Sequence, residues 1–178
     1  MLEQVIYVFA HEWSPSDTLW LFLYVVPLLL PLVFFTVLPS LRNKRGTLLM
    51  LFSFFVALVQ LALSYFNIFF GQDTASLYGW SYSRSIILLG LFHGAVGLGI
   101  FTCLLLGRLE WIKGILAVLA LQALASGGLH LFEAFLNERI NLTHLGPPLW
   151  HDILLAVTAV WVLKTSERGV VDVYYVPR

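Results

Sequence analysis

A chain of 178 residues that is 60% hydrophobic and only 11% charged does not have the composition of a soluble domain, in which about a quarter of the residues are charged. Its apolar runs approach the ~20 residues that cross a bilayer core, which favours membrane helices over the short alternating strands of a β-barrel. The formal net charge is zero and no basic run is present, so nucleic acid is not an expected partner. We predict an all-α, polytopic membrane helical bundle whose first partner is the lipid bilayer.

The chain begins with a segment, residues 1–13, that is too short to span a bilayer and mixes apolar residues with His11 and Glu12. This mixture is typical of a segment lying in the membrane interface. Ser14 and Pro15 then form a helix start, with an N-cap followed by proline in the first helical position. We predict one transmembrane domain over 14–165 and a cytoplasmic tail over 166–178. Its five transmembrane helices are expected at about 15–38, 47–70, 84–106, 111–137 and 149–165.

The basic residues predict the orientation of these helices. Eight lysines and arginines fall in the loop 39–46, the turn 107–113 and the C-terminal end: Arg42, Lys44, Arg45, Arg108, Lys113, Lys164, Arg168 and Arg178. The opposite side holds Arg84 and Arg139. By the positive-inside rule, the N-terminus is expected outside and the C-terminus in the cytoplasm.

Small residues follow one another along the third predicted helix. Gly90 and Gly94 have the small-xxx-small spacing that lets two membrane helices approach closely, and Gly97 extends the series. We expect this stripe to serve close packing within the bundle rather than a dimer.

Five polar residues recur along the fourth predicted helix at steps of four, four, three and four: Gln122, Ser126, His130, Glu133 and Asn137. At about 100° per residue they occupy an arc of roughly 80° on one face, and the rest of that helix is apolar. A polar face on a membrane helix turns toward other protein or toward water. The sequence therefore predicts that this face is shielded from lipid.

The polar face has three interpretations, which the sequence leaves open. The first is structural: Gln122 and Ser126 would hydrogen-bond to the polar residues of the second helix, Gln60, Ser64 and Asn67.

The second is a metal or haem site. His130 and Glu133 are spaced i, i+3, and His151 is on the same side of the membrane. Imidazole and carboxylate groups are common ligands of zinc, copper and iron.

The third interpretation is a polar pocket near the outer leaflet, walled by the second to fifth helices. His93, His130 and Glu133 would provide a hydrogen-bond or proton relay there, with Gln122 and Ser126 as further cofactor-binding residues. The cofactor itself is unknown. A metal, a haem, a quinone or a pigment is compatible with the chain, because none of them needs a local sequence motif.

The chain resembles small bacterial DoxX-like membrane proteins in a set of residues and in the last helix, which follows a Gly/Pro loop. These residues lie at the start of the third helix, within it and in the fourth helix: Tyr82, Ser83, Arg84, Gly90, His93, Gly94 and His130. The resemblance covers roughly residues 47–165 at the level of topology. The DoxX-like core has four helices, whereas we predict one more for this chain. The resemblance implies a bacterial inner-membrane protein, in some cases an auxiliary subunit of a redox enzyme.

Short loops and the lack of a soluble domain favour one function: an integral membrane accessory or structural protein, a subunit of a larger membrane complex that could be a redox complex. No catalytic motif is present, so an enzyme is the less favoured reading. The alternative is a ligand-, cofactor- or metal-binding membrane protein or enzyme, with its polar site between helices near the outer leaflet at His93, His130 and Glu133.

Overall fold

A computed structural model describes residues 7, 18, 22–23, 25–37, 45–77, 82–135 and 145–174 of the chain. Within these ranges the protein is helical and contains no strand, so the all-α prediction is confirmed there. The helices are α1 (Val26–Val37), α2 (Arg45–Phe69), α3 (Gly71–Leu77), α4 (Arg84–Leu105), α5 (Leu109–Phe135) and α6 (Pro147–Tyr174). The interfacial segment predicted over 1–13 lies outside the described residues except for Tyr7.

Three of the described helices are long and apolar enough to cross a membrane: Gly46–Phe69, Arg84–Leu105 and Leu109–Phe135. They correspond to the second, third and fourth predicted spans. Their outward faces carry exposed leucine and phenylalanine side chains, which a lipid environment accommodates. The first and fifth predicted spans correspond to α1 and α6, which are not among these three.

Two helix ends differ from the prediction. We expected a loop over 71–83, but its first part forms the short helix α3, Gly71–Leu77. We also expected the last helix to end near residue 165, whereas α6 continues to Tyr174. The sequence there becomes polar and charged. A helix that leaves the apolar layer can nevertheless continue, because residues such as Glu and Arg are good helix formers.

The bundle consists of two closely packed helix pairs. α2 packs along α4, α5 packs along α6, and α6 also contacts α2. A single apolar core joins all four helices, and its fully buried members include Phe52 in α2, Ile100 in α4, Leu116 in α5 and Ala159 in α6. These four helices therefore form one body, against which α1 packs through α2.

Three glycines of α4, Gly90, Gly94 and Gly97, face α2. A Cβ atom added at Gly94 would lie 2.7 Å from Ser64 Oγ, and one added at Gly97 would lie 2.9 Å from Leu61 Cγ. Gly90 is equally close to α2. Real Cβ atoms do not approach other atoms this closely. The two helices can therefore pack this tightly only because glycine has no side chain at these positions. The expectation that this stripe serves packing within the bundle is confirmed.

The turn between α4 and α5 is short and lies at one end of the bundle. α4 ends at Leu105 and α5 begins at Leu109. Gly107 in the turn has a φ of 64°, a left-handed conformation that glycine adopts without the penalty a side chain would bring. The turn holds α4 and α5 antiparallel.

Candidate functional site

A partly open cavity of about 200 Å³ lies between the two helix pairs. It is located toward the end of the bundle at which α2 and α5 finish and α4 and α6 begin. Leucines from all four helices form part of its wall. Among these apolar residues lie seven polar or charged ones: Gln60, His93, Gln122, Ser126, His130, His151 and Asp152.

The predicted polar face of α5 turns toward this cavity. Gln122, Ser126 and His130 line it at intervals of four residues, and His130 is only 6% exposed. Glu133 is not among the lining residues, and Asn137 lies outside the described part of the chain. The structure therefore shows that three of the five residues share one protected face, while their binding of a cofactor stays a prediction.

His93 in α4 is paired with Gln60 in α2. His93 Nδ1 lies 2.6 Å from Gln60 Oε1, and both residues are buried. A carbonyl oxygen only accepts, so Nδ1 carries the proton, and Nε2 of the neutral ring is left as an acceptor. The sequence suggested Gln122 and Ser126 as partners for Gln60. The amide oxygen of Gln60 instead accepts from His93 across the α2–α4 interface, where the glycine stripe brings the helices together.

The carboxylate of the cavity comes from α6. Asp152 lines the cavity beside His151, whose Nδ1 lies 3.2 Å from Asp152 Oδ1. We predicted a role for the carboxylate of Glu133 and missed Asp152. The available signal was the run Trp150-His151-Asp152 in the first turns of the last helix, which places a carboxylate next to His151.

One acceptor at the cavity lacks a partner. Gln122 Oε1 is buried and has no hydrogen-bond partner among the described residues. An unsatisfied buried acceptor costs about 1–3 kcal/mol. Because Gln122 lines the cavity, a turn of its amide group would present this oxygen to a molecule bound there. Both amide atoms of Asn67 are also buried and unpartnered within the described ranges, but Asn67 does not line the cavity.

Two of the three predicted metal ligands line the cavity. The described residues contain no group of three or more His, Cys, Asp or Glu side chains that could hold a metal ion. His130 and His151 line the cavity, whereas Glu133 does not. Residues spaced i, i+3 differ by about 60° around a helix, and Glu133 also lies nearer the helix end. The metal set of His130, Glu133 and His151 therefore stays a prediction from the sequence.

No protein-family model, no curated protein and no solved structure matches this chain. The resemblance to DoxX-like proteins therefore stays a prediction from the sequence. The function has to be argued from the geometry of the cavity and from the residues that line it.

Proposed function

We propose that this protein is an integral membrane protein that binds a small molecule in the cavity between α2, α4, α5 and α6. One observation carries the proposal: polar side chains from all four helices converge on one cavity in an otherwise apolar bundle. Polar and ionisable residues within membrane helices are costly and usually mark functional sites. Binding pockets typically combine apolar walls with a few convergent polar groups.

The size of the cavity restricts the ligand. An engineered protein cavity of about 150 Å³ binds benzene, so a cavity of about 200 Å³ holds a group of roughly one ring. A haem macrocycle has four linked pyrrole rings and needs several times that room. Of the cofactors considered from the sequence, the one-ring head group of a quinone, in its reduced form with two hydroxyl groups, fits the cavity by size, whereas a haem does not.

The proposal includes the predicted topology of five spans, with α1 and α6 as the outer two. The excess of basic residues in 39–46, 107–113 and the C-terminal end supports a cytoplasmic location for these segments. The cavity then lies near the outer leaflet, because His130 is five residues from the described end of α5, a rise of about 8 Å. The resemblance supports a bacterial inner membrane as the location.

Cysteine accessibility tests this topology. In a Cys103→Ala background, Ser85→Cys is expected to react with a membrane-impermeant maleimide on intact cells, because α4 would begin outside. Glu110→Cys, at a side chain that is 80% exposed, is expected to react only after permeabilisation. The two positions are the matched pair, one at each end of the α4–α5 hairpin. The reverse labelling pattern would contradict the proposed orientation.

Filling the cavity tests the binding proposal. Ser126 lines the cavity, whereas its neighbour Ala125 is exposed and does not line it. Phenol is a one-ring probe of suitable size, and at ten times its Kd or more it should stabilise the protein by about 1.4 kcal/mol or more. For a chain of this length this raises Tm by about 3 °C or more. We expect this shift in thermal unfolding of the purified wild-type protein and of Ala125→Phe, but not of Ser126→Phe.

Equal responses of the two phenylalanine variants, or no response of the wild type, would contradict the proposal. An accessory role in a larger membrane complex is the function that would then remain. It is favoured by the small buried share of the α4 and α5 spans, 28% and 33% against 50% for α2. The wide apolar surfaces left on α4 and α5 suit partner helices as well as lipid.

A further inference from the structure

We infer that the cavity selects an uncharged, one-ring molecule that carries at least two hydrogen-bond donors. This inference rests on the proposed binding function and specifies its ligand. It follows from the hydrogen-bonding state of three side chains at the cavity, which belong to three different helices.

The first of these side chains is Gln122 in α5. Its Oε1 atom is buried and finds no donor in the described part of the chain. An amide oxygen can only accept hydrogen bonds. A bound molecule that donates to Gln122 removes the cost of this unsatisfied atom, whereas a molecule with only acceptors leaves that cost in place.

The second side chain is His93 in α4. Its Nδ1 proton is committed to Gln60 Oε1, 2.6 Å away, and this bond fixes the tautomer of the neutral ring. Nε2 is then an acceptor, on a side chain that lines the same cavity as Gln122. The two acceptors lie on different helices, so one ligand needs two separate donors to satisfy both.

The third side chain is Asp152 in α6, which determines the charge of the ligand. No lysine or arginine is among the described residues that line the cavity, and Asp152 is its one carboxylate. An anionic ligand would therefore meet like charge and find no lysine or arginine among these residues. A cationic ligand would lose its hydration on entry, at a cost of several kcal/mol, while Asp152 already has a partner in His151. An uncharged donor avoids both costs.

A matched pair of probes tests the inference on the purified full-length protein. Resorcinol has two hydroxyl donors on one ring, and 1,3-dimethoxybenzene has the same ring and oxygens with both donors blocked. Affinities are measured by ligand-observed NMR. Ser126→Phe, with its cavity filled, provides the correction for partition into the detergent. We expect resorcinol to bind the wild type at least about tenfold more tightly, since donors are lost in the dimethyl ether.

The variant Gln122→Met keeps the length of the side chain and removes its acceptor. We expect it to weaken resorcinol binding roughly tenfold and to change 1,3-dimethoxybenzene binding less than about twofold. Equal wild-type affinities for the two probes, or benzoate binding as tightly as resorcinol, would overturn the donor selectivity and leave the binding function standing. If neither probe binds the wild type more tightly than it binds Ser126→Phe, the binding function fails as well.

Discussion

Gly97→Leu is expected to destabilise the protein by about 3 kcal/mol, at the upper end of the cost of overpacking a well-packed interface. A Cβ atom at this position would lie 2.9 Å from Leu61 Cγ and 3.1 Å from the backbone oxygen of Ala57. The Leu61 side chain could rotate away, but the Ala57 carbonyl belongs to the backbone of α2 and cannot move without it. The two helices would have to separate, which also weakens the nearby contact between His93 and Gln60.

Gly99→Leu is the matched control. It lies two residues further along α4, and a Cβ atom there meets nothing within 4 Å among the described residues. The two variants share the same change in helix propensity, so their difference reports the contact with α2. Thermal unfolding in detergent measures it. Similar midpoints for the two variants would show that the glycine stripe does not determine how closely α2 and α4 pack.

Gln60→Leu is expected to destabilise the protein by about 2 kcal/mol, because it leaves the Nδ1 proton of a buried His93 without its acceptor. His93→Phe is expected to have a similar effect by leaving Gln60 Oε1 without its donor. The double variant should cost less than the sum of the two. The coupling should be near 1 kcal/mol, since hydrogen bonds between membrane helices average about 0.6 and reach about 1.7 kcal/mol.

The coupling energy is obtained from unfolding free energies of the four proteins of the cycle. Thr102→Val supplies the control, because the exposed Thr102 hydroxyl donates to Leu98 O in its own helix. Gln60→Leu combined with Thr102→Val should be additive within about 0.5 kcal/mol. Additive effects of the Gln60 and His93 variants would contradict the pairing that fixes the histidine tautomer.

The sequence was sufficient to predict the class of the protein and the positions of its central helices. Runs of apolar residues determine where a chain can cross a bilayer, so three predicted spans coincide with α2, α4 and α5 to within a few residues. The spacing of Gln122, Ser126 and His130 also predicted a protected face, because the period of a helix is fixed by its backbone. These are local properties, and they can be derived one helix at a time.

The partners across the cavity could not be predicted in the same way. Which residue of α2 meets His93 depends on the axial offset between α2 and α4, and the glycine contacts determine that offset. The choice between Glu133 and Asp152 as the carboxylate of the cavity depends on the rotation of α6 against α5. A single sequence contains neither quantity. The residues of the site were therefore partly identified, but their pairing was not.

The cavity and the α4–α5 turn lie at opposite ends of the bundle, and this separation has a mechanical consequence. His130 is 21 residues beyond Leu109, a distance of about 30 Å along the helix. A rotation of about 5° between the two helix pairs around Gly107 would move His130 by about 3 Å relative to His93, while residues beside the turn would hardly shift. A change in the packing angle between the two helix pairs would therefore alter the width of the cavity much more than the contacts beside the turn.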